Sequence, residues 1–152
     1  MTTTLASVLI GFLGLGGSEM VILTLPLLLC IIPMIFYLIT MQNTFNEISP
    51  ENRKMEAGLV WLTLIPLFGL VWQFIIVNRM ADSLKLEFAK RNIKEVEDRP
   101  GISIGLTFCI LFCCSIIPIL GFLTGIAGLI CWIVYWVKIN EYKVKLQQNR
   151  PA

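Results

Sequence analysis

The longest uncharged stretch in this chain, residues 101–137, holds 37 residues without Asp, Glu, Lys or Arg. As a single α-helix it would be about 55 Å long, at about 1.5 Å per residue. The hydrocarbon core of a bilayer is about 30 Å thick and is crossed by about 20 residues, so one crossing does not use this length. Pro118 and Gly121 stand near its middle, where a proline interrupts a helix and a glycine permits a tight turn. The stretch therefore predicts a C-terminal hairpin of two transmembrane helices, at 102–118 and 121–138.

The composition agrees with a chain that uses lipid as its solvent. Hydrophobic residues make up 57% and charged residues 14%, with a mean hydropathy of +0.80, whereas soluble domains average about 25% charged residues. The net charge of +2 argues against a nucleic-acid partner, because the acidic and basic residues are interleaved. The sequence has no histidine, the commonest metal ligand and general base. We therefore expect no catalytic residue, no cofactor and no metal site, and we expect the lipid bilayer as a partner.

Shorter apolar runs complete an all-α fold class, an integral membrane four-helix bundle. The N-terminal run lacks the basic start and the cleavage site of a secretory signal, and its residues 5–17 are either interfacial or one additional short span. The next run is long enough to cross, and transmembrane helices tolerate the kinks that Pro26 and Pro33 produce. In chain order we expect an apolar N-terminal segment at 1–19, a transmembrane helix at 20–41, an extracytoplasmic loop with a short helix at 42–57, a transmembrane helix at 58–79, a cytoplasmic helix and linker at 80–100, the hairpin helices at 102–118 and 121–138, and a cytoplasmic tail at 139–152.

Two polar segments separate these spans. Residues 49–51, Ser-Pro-Glu, have the pattern of an N-cap, a first-turn proline and an acid near the helix dipole, which predicts the short helix in the first segment. The second segment continues the preceding helix, with Glu87 and Arg91 as a favourable i, i+4 pair on a solvated surface. Its apolar stripe is expected to face a partner, the bilayer or a sister subunit. The stripe consists of Met80, Leu84 and Phe88.

The distribution of Lys and Arg predicts the orientation. With four spans, the N-terminus, residues 78–101 and the tail share one side and hold ten of the twelve basic residues, and only Arg53 and Lys54 lie on the other. Basic residues accumulate on the cytoplasmic side of a membrane. We therefore expect both termini in the cytoplasm, residues 42–57 outside, and the protein in the bacterial inner (plasma) membrane. A single crossing at 102–137 would instead give six basic residues on each side.

Small and polar residues in the spans indicate where helices pack. In lipid, helices associate through close backbone approach and interhelical hydrogen bonds, and Gln73 is the one strongly polar side chain in any span. We expect Gly125 to be the most sensitive position, where the hairpin helices cross. A weak internal echo also exists, since residues 65–69 (IPLFG) resemble residues 117–121 (IPILG). The helix-packing candidates are Pro66, Gly69, Gln73, Gly105, Pro118, Gly121, Gly125 and Gly128.

The cysteines and the spans argue against enzyme or transport chemistry. All five cysteines lie in apolar runs, and Cys109, Cys113 and Cys114 fall in the middle of one span, where thiols are inert packing groups. Ionisable residues mark ion paths through membranes, and none lies well inside the four spans, since Glu19 stands at the edge of the first. A pore would therefore be lined by Thr, Asn, Gln or backbone groups in an oligomer.

The run GLVWLTLIPLFGLVWQF, the IIPILG turn and the ending GIAGLICWIVYWVKI resemble a group of small bacterial four-helix membrane proteins of unknown function. The resemblance covers about residues 20–145 and implies the same fold, with no catalytic or ligand-binding residues to transfer. We expect a non-enzymatic accessory or assembly subunit that binds other membrane protein subunits or its own copies. The alternatives are a small oligomeric channel or transporter and, third, a membrane enzyme that handles thiols or lipids.

Overall fold

A computed structural model of the chain describes residues 17–65, 67–117 and 121–150. Within these ranges all regular secondary structure is helical, which confirms the all-α prediction. The predicted segment 1–19, except its last three residues, lies outside the described residues, as do Pro66 and Pro118. The elements are α1 (Gly17–Glu47), a 3-10 helix (Ala57–Leu64), α2 (Phe68–Lys90), α3 (Ile102–Cys114) and α4 (Gly121–Gln148).

The chain divides into two compact units, Met1–Phe36 and Tyr37–Ala152. The described part of the first unit is the beginning of α1, which continues without interruption past Pro26 and Pro33. Proline removes a backbone hydrogen bond but does not end this helix, as is common in transmembrane helices.

The second unit has a core built from all its α-helices. Aromatic and aliphatic side chains spaced three or four residues apart face one another, as expected for the buried stripe of a helix. The stripe Met80, Leu84 and Phe88 is buried in this core, so it packs against the chain's own helices and does not face a partner. The largest fully buried apolar side chains are Tyr37, Leu38, Met41, Phe45, Ile48, Ile76, Met80, Leu84, Tyr135, Ile139 and Leu146.

The segment predicted as one span at 58–79 is divided into two arms. Ile65 is extended, with φ −75° and ψ 116°, a conformation that a following proline favours. Leu67 has a positive φ of 64°, and α2 begins one residue later. The indole of Trp72 donates to the carbonyl of Leu59 at 2.8 Å, which ties the two arms together. We call residues 57–90 the first hairpin.

Helices α3 and α4 form the second hairpin, residues 102–148. The N-cap of α3 is Gly101, whose φ of 76° lies in the left-handed region that glycine favours. A Cβ built on Gly128 would lie 3.4 Å from the Cβ of Leu111, so the two helices pack closely. Helix α4 continues through the predicted boundary at 138 to Gln148, which places its last three turns in the polar tail.

Among the described residues, one helix is long and apolar enough to cross a membrane by length and composition. This helix is α4, Gly121–Gln148, and only 17% of its most apolar 18-residue window is buried. Helix α3 is also apolar but has only 13 residues. The finer prediction of four transmembrane helices therefore goes beyond what the described helices establish.

Candidate functional site

One guanidinium group connects the C-terminal ends of three helices. Arg91 is the C-cap residue of α2, and its Nη1 donates to the carbonyl of Leu146 at 2.6 Å while its Nη2 donates to the carbonyl of Glu47 at 2.9 Å. The last carbonyls of a helix lack partners within the helix and carry partial negative charge. A cation placed among three such ends satisfies carbonyls of α1 and α4 together.

Glu87 is the counter-ion of Arg91 and is completely buried. Its two oxygens accept hydrogen bonds from Ser49 Oγ at 2.8 Å, Asn52 Nδ2 at 2.7 Å and Arg91 Nε at 2.8 Å. Burial of Glu87 raises its pKa, but these hydrogen bonds and the charge of Arg91 outweigh burial, so the pKa is lowered overall. We call Glu47, Ser49, Asn52, Glu87, Arg91 and the Leu146 carbonyl the Arg91 cluster.

The Arg91 cluster changes two predictions about the loop at 42–57. Residues 49–53 form a turn, with the amides of Asn52 and Arg53 donating to the carbonyl of Ser49, and not the predicted short helix. The hydroxyl of Ser49 is used by Glu87 instead of capping a helix. The predicted topology also puts this loop and residues 80–100 on opposite sides of a membrane. Hydrogen bonds of 2.7–2.9 Å join the two segments, so they lie next to each other and are not separated as that topology requires.

Further ion pairs surround the cluster. Arg150 binds Glu47 at 2.6 Å, Lys145 binds Glu95 at 2.6 Å, and Lys90 pairs with Glu51. The pKa of Glu47 is raised by burial but lowered more by the hydrogen bonds from Gln147 and Arg150.

A cavity of about 430 Å³ opens beside the Arg91 cluster. Its cations each have a carboxylate partner, because Lys90 pairs with Glu51, Arg91 with Glu87 and Arg150 with Glu47. The cavity is therefore polar but presents no unpaired cation to a ligand. Its lining residues are Glu87, Lys90, Arg91, Gln148, Asn149 and Arg150.

Gln73 lies buried where α1 and α2 meet. Its Nε2 donates to the hydroxyl of Tyr37 at 2.5 Å, so the polar side chain expected to join helices has a partner on another helix. Tyr37 also lies edge-on to Trp132, with ring centroids 5.4 Å apart, and the indole of Trp136 donates to Thr40 Oγ1 at 2.9 Å. These groups form an aromatic layer between α1 and α4, and nothing in it marks a reaction centre.

The two tryptophans of the first hairpin hold its arms in place. Trp61 donates to Gln42 Oε1 at 2.7 Å and Trp72 to the Leu59 carbonyl. Their indole N–H groups therefore have partners within the protein.

Among the glycine candidates, Gly105 makes the closest approach between the hairpins. A Cβ there would lie 2.5 Å from Cγ1 of Val77 and 2.9 Å from Cε2 of Tyr135. At Gly125 a Cβ would meet only the Cβ of Ser115, at 3.9 Å. The expectation that Gly125 is the most sensitive position is therefore corrected, since the tight crossing lies at Gly105.

Gly69 and Gly121 occupy equivalent places at the two hairpin turns. A Cβ on Gly69 would lie 2.1 Å from the carbonyl oxygen of Thr63, and one on Gly121 would lie 2.6 Å from that of Ser115. Each glycine thus faces the backbone six residues before it. The internal sequence similarity includes the residues that make this contact, because residues 63–69 (TLIPLFG) and 115–121 (SIIPILG) match in type at all seven positions.

The four described cysteines are free thiols. Cys109 is buried, Cys113 is exposed, and Cys114 and Cys131 are intermediate. Within the described ranges, no group of three or more Cys, Asp or Glu side chains is arranged to hold a metal ion.

Sequence reasoning missed the Arg91 cluster, although its local signal was present. The i, i+4 pair of Glu87 and Arg91 predicts a solvated helix surface, and the pair is buried because α1, α4 and the loop at 49–52 converge on it. No protein-family model, curated protein or solved structure matches the chain, so the resemblance to small bacterial four-helix membrane proteins stays a prediction.

Proposed function

We propose that this chain is an integral membrane protein whose charged segments lie on one face of the bilayer, and that it acts as a non-enzymatic accessory or assembly subunit. The observation that carries the proposal is the separation of charge from exposed apolar surface in the unit Tyr37–Ala152. All charged residues of this unit fall in 47–56, 79–99 and 138–150, the segments that meet around Arg91.

The opposite ends of the hairpins expose large apolar side chains. Leu67 is 83% exposed, Phe122 80% and Leu123 73%. Monomeric soluble proteins rarely expose a continuous apolar surface of this kind. In a bilayer, lipid acyl chains would cover these side chains and keep them out of contact with water. This distribution supports burial of the uncharged ends in lipid.

The charge distribution supports a cytoplasmic position for the Arg91 cluster. All twelve basic residues belong to the segments that meet there, a stronger asymmetry than the ten against two of the predicted topology. Because basic residues accumulate on the cytoplasmic side, we place this face in the cytoplasm and the protein in the bacterial inner membrane.

The exposed face of α4 supports a role in assembly. Ile126, Leu129, Ile130 and Ile133 are each about half exposed and follow helical spacing. The cations around the described cavity are paired, and the described cysteines are free thiols in apolar helices. An exposed apolar face of this kind fits the binding of other subunits or of a second copy better than it fits a catalytic reaction.

Native mass spectrometry after purification in mild detergent tests the proposal. We expect a stoichiometric partner subunit or a defined self-assembly, lost in Ile130→Gln and retained in Val144→Gln, a matched change at an exposed position of the polar tail. Conduction of ions or solutes by the purified protein in liposomes would favour the oligomeric channel or transporter instead. Extraction of the chain by alkaline carbonate would contradict membrane integration itself.

A further inference from the structure

We propose that the first hairpin is re-entrant: its uncharged part, residues 57–78, enters one leaflet of a bilayer and leaves on the same face, with Lys54 and Arg79 against anionic headgroups. The proposal rests on the proposed membrane function. It replaces the predicted crossing at 58–79 by an insertion to half depth.

Both ends of the uncharged part lie side by side. The amide of Lys54 donates to Ser83 Oγ at 2.9 Å, and Ser83 Oγ donates to the carbonyl of Arg79 at 2.6 Å. Lys54, three residues before the first arm, and Arg79, the residue after the uncharged part of the second, are thus joined through one serine on α2. A segment that crossed a bilayer would have these two ends on opposite faces.

The lengths of the arms match one leaflet. The 3-10 helix has 8 residues, which span about 16 Å at about 2 Å per residue. From Phe68 to the last uncharged residue, Asn78, α2 rises about 16 Å at about 1.5 Å per residue. The hydrocarbon core is about 30 Å thick, so both arms end close to its midplane.

The turn of the hairpin has the chemistry of a lipid-facing surface. Leu64 is 50% exposed, Leu67 83% and Val71 64%. A segment in hydrocarbon must satisfy its polar groups internally. Here both indole N–H groups have protein acceptors, at Gln42 and at the Leu59 carbonyl, whereas the buried hydroxyl of Thr63 has no partner among the described residues. Acyl chains are therefore the occupant that fits this surface.

Residues 53–56 and Arg79, which flank the uncharged part and form the mouth of the hairpin, include cations that can bind a lipid headgroup. Lys54 and Arg79 are exposed, and neither makes an ion pair with any described residue. Arg53 adds a third positive charge, although its guanidinium is held by the carbonyls of Asn46 and Ile48. Of the nearby carboxylates, Glu51 pairs with Lys90 and Asp82 with Arg99, which leaves Glu56 against these cations, so the mouth is net positive. Anionic phospholipids are attracted to such a cluster at the membrane surface.

Cysteine labelling in sealed vesicles of both orientations tests the re-entrant path. We would place single cysteines by Glu56→Cys at the mouth, Leu67→Cys at the turn and Val96→Cys, at a 99% exposed position, in the loop after α2. A membrane-impermeant maleimide is the probe, with the wild-type chain as the blank. We expect the first and third variants to label from the same face and Leu67→Cys from neither.

The labelling outcomes separate the two proposals. Labelling of Glu56→Cys and Val96→Cys from opposite faces, or of Leu67→Cys from either face, overturns the re-entrant hairpin and leaves the membrane protein intact. Labelling of all three in both orientations, together with extraction by alkaline carbonate, overturns the membrane function as well.

A lipid titration tests the headgroup contact. In detergent micelles, added phosphatidylglycerol should raise the Tm of the wild type more than phosphatidylcholine does. The double variant K54Q/R79Q should lose most of that difference. The matched control K94Q/K143Q removes two other basic residues that make no ion pair among the described residues and should keep it. Equal behaviour of the two double variants would overturn the contact at the mouth.

Discussion

The two hairpins share a turn but differ in the length of their arms. Both turns follow the same seven-residue pattern, at 63–69 and 115–121, and in both a glycine faces a backbone carbonyl six residues earlier. The first hairpin has a 3-10 arm of 8 residues, whereas α4 stays uncharged for about 17 residues, or about 25 Å. The turn pattern therefore marks where the chain reverses, and the arm length sets how far the turn lies from the charged end of each hairpin.

Helix α1 supplies the contrast that identifies the residue responsible for the turn. Its residues 32–36 (IPMIF) contain the isoleucine and proline of both turns but have no glycine three residues after the proline, and the helix continues. Proline alone is tolerated in apolar helices. A glycine is required because the close approach to a carbonyl leaves no space for a Cβ.

The largest expected effect comes from breaking the link between the hairpin bases. Arg91→Met leaves Glu87 as an uncompensated buried charge and frees the carbonyls of Glu47 and Leu146. Removing one partner of a buried ion pair typically costs about 3–5 kcal/mol, so we expect a loss of that size in chemical denaturation. Lys94→Met, at an exposed lysine three residues later, is the control and should change stability little. Equal stability of the two variants would mean that the pair is solvated.

The contact between the hairpins at Gly105 is expected to be the next most sensitive to substitution. Gly105→Leu would put a Cβ within 2.5 Å of Val77 and 2.9 Å of Tyr135, one residue from each hairpin. Overpacking of this kind costs about 1–3 kcal/mol. Gly125→Leu introduces the same side chain where the nearest atom is 3.9 Å away and should cost less. A larger loss of thermal stability for Gly125→Leu would restore the crossing expected from the sequence.

The equivalence of the two turns is tested by adding one methyl group to each. Gly69→Ala and Gly121→Ala should both destabilise, by about 1–3 kcal/mol, because each Cβ meets a backbone oxygen that does not move freely. The shorter approach, 2.1 Å against 2.6 Å, predicts the larger loss at Gly69. Gly58→Ala is the control, since a Cβ there has no neighbour within 4 Å. A stabilised Gly69→Ala would contradict a tight turn in the first hairpin.

Part of this architecture can be predicted from the sequence. The uncharged length of 101–137 and its Pro-Gly pair predict the second hairpin, and the same pair at 66 and 69 is visible in the first. The first turn is missed because the apolar run at 58–77 has the length of a full span, and length is the stronger sequence signal. Neither the burial of Glu87 nor its partners at 49 and 52 follow from local spacing, since they come from segments 35–38 residues away.

A smaller effect is expected from pH at the hairpin bases. The lowered pKa of Glu87 means that its stabilising contribution is complete above the ordinary glutamate pKa of about 4.3 and is lost as the pH falls through the lowered value. Glu87→Gln keeps the shape but removes this titration. We expect the difference in unfolding free energy between the wild type and Glu87→Gln to shrink between pH 7 and pH 3. A difference independent of pH would contradict the lowered pKa, because it would mean that the pKa of Glu87 does not change on folding.

The smallest expected effect concerns the cysteines, all four of the described ones lying in the second hairpin. If the second hairpin differs from the first only in the length of its arms, its thiols serve only in packing. Replacing them should then cost little stability. Cys113 is exposed and Cys114 partly exposed, whereas Cys109 is buried, so Cys109→Ala should account for most of any loss. Deleting a small buried group costs about 1 kcal/mol or less when the volume change is small. We expect the triple variant C109A/C113A/C114A to unfold within a few degrees of the wild type and to keep the partner or self-assembly detected by native mass spectrometry. Loss of that assembly, with the Tm unchanged, would give the second hairpin a thiol-dependent role that the first one lacks.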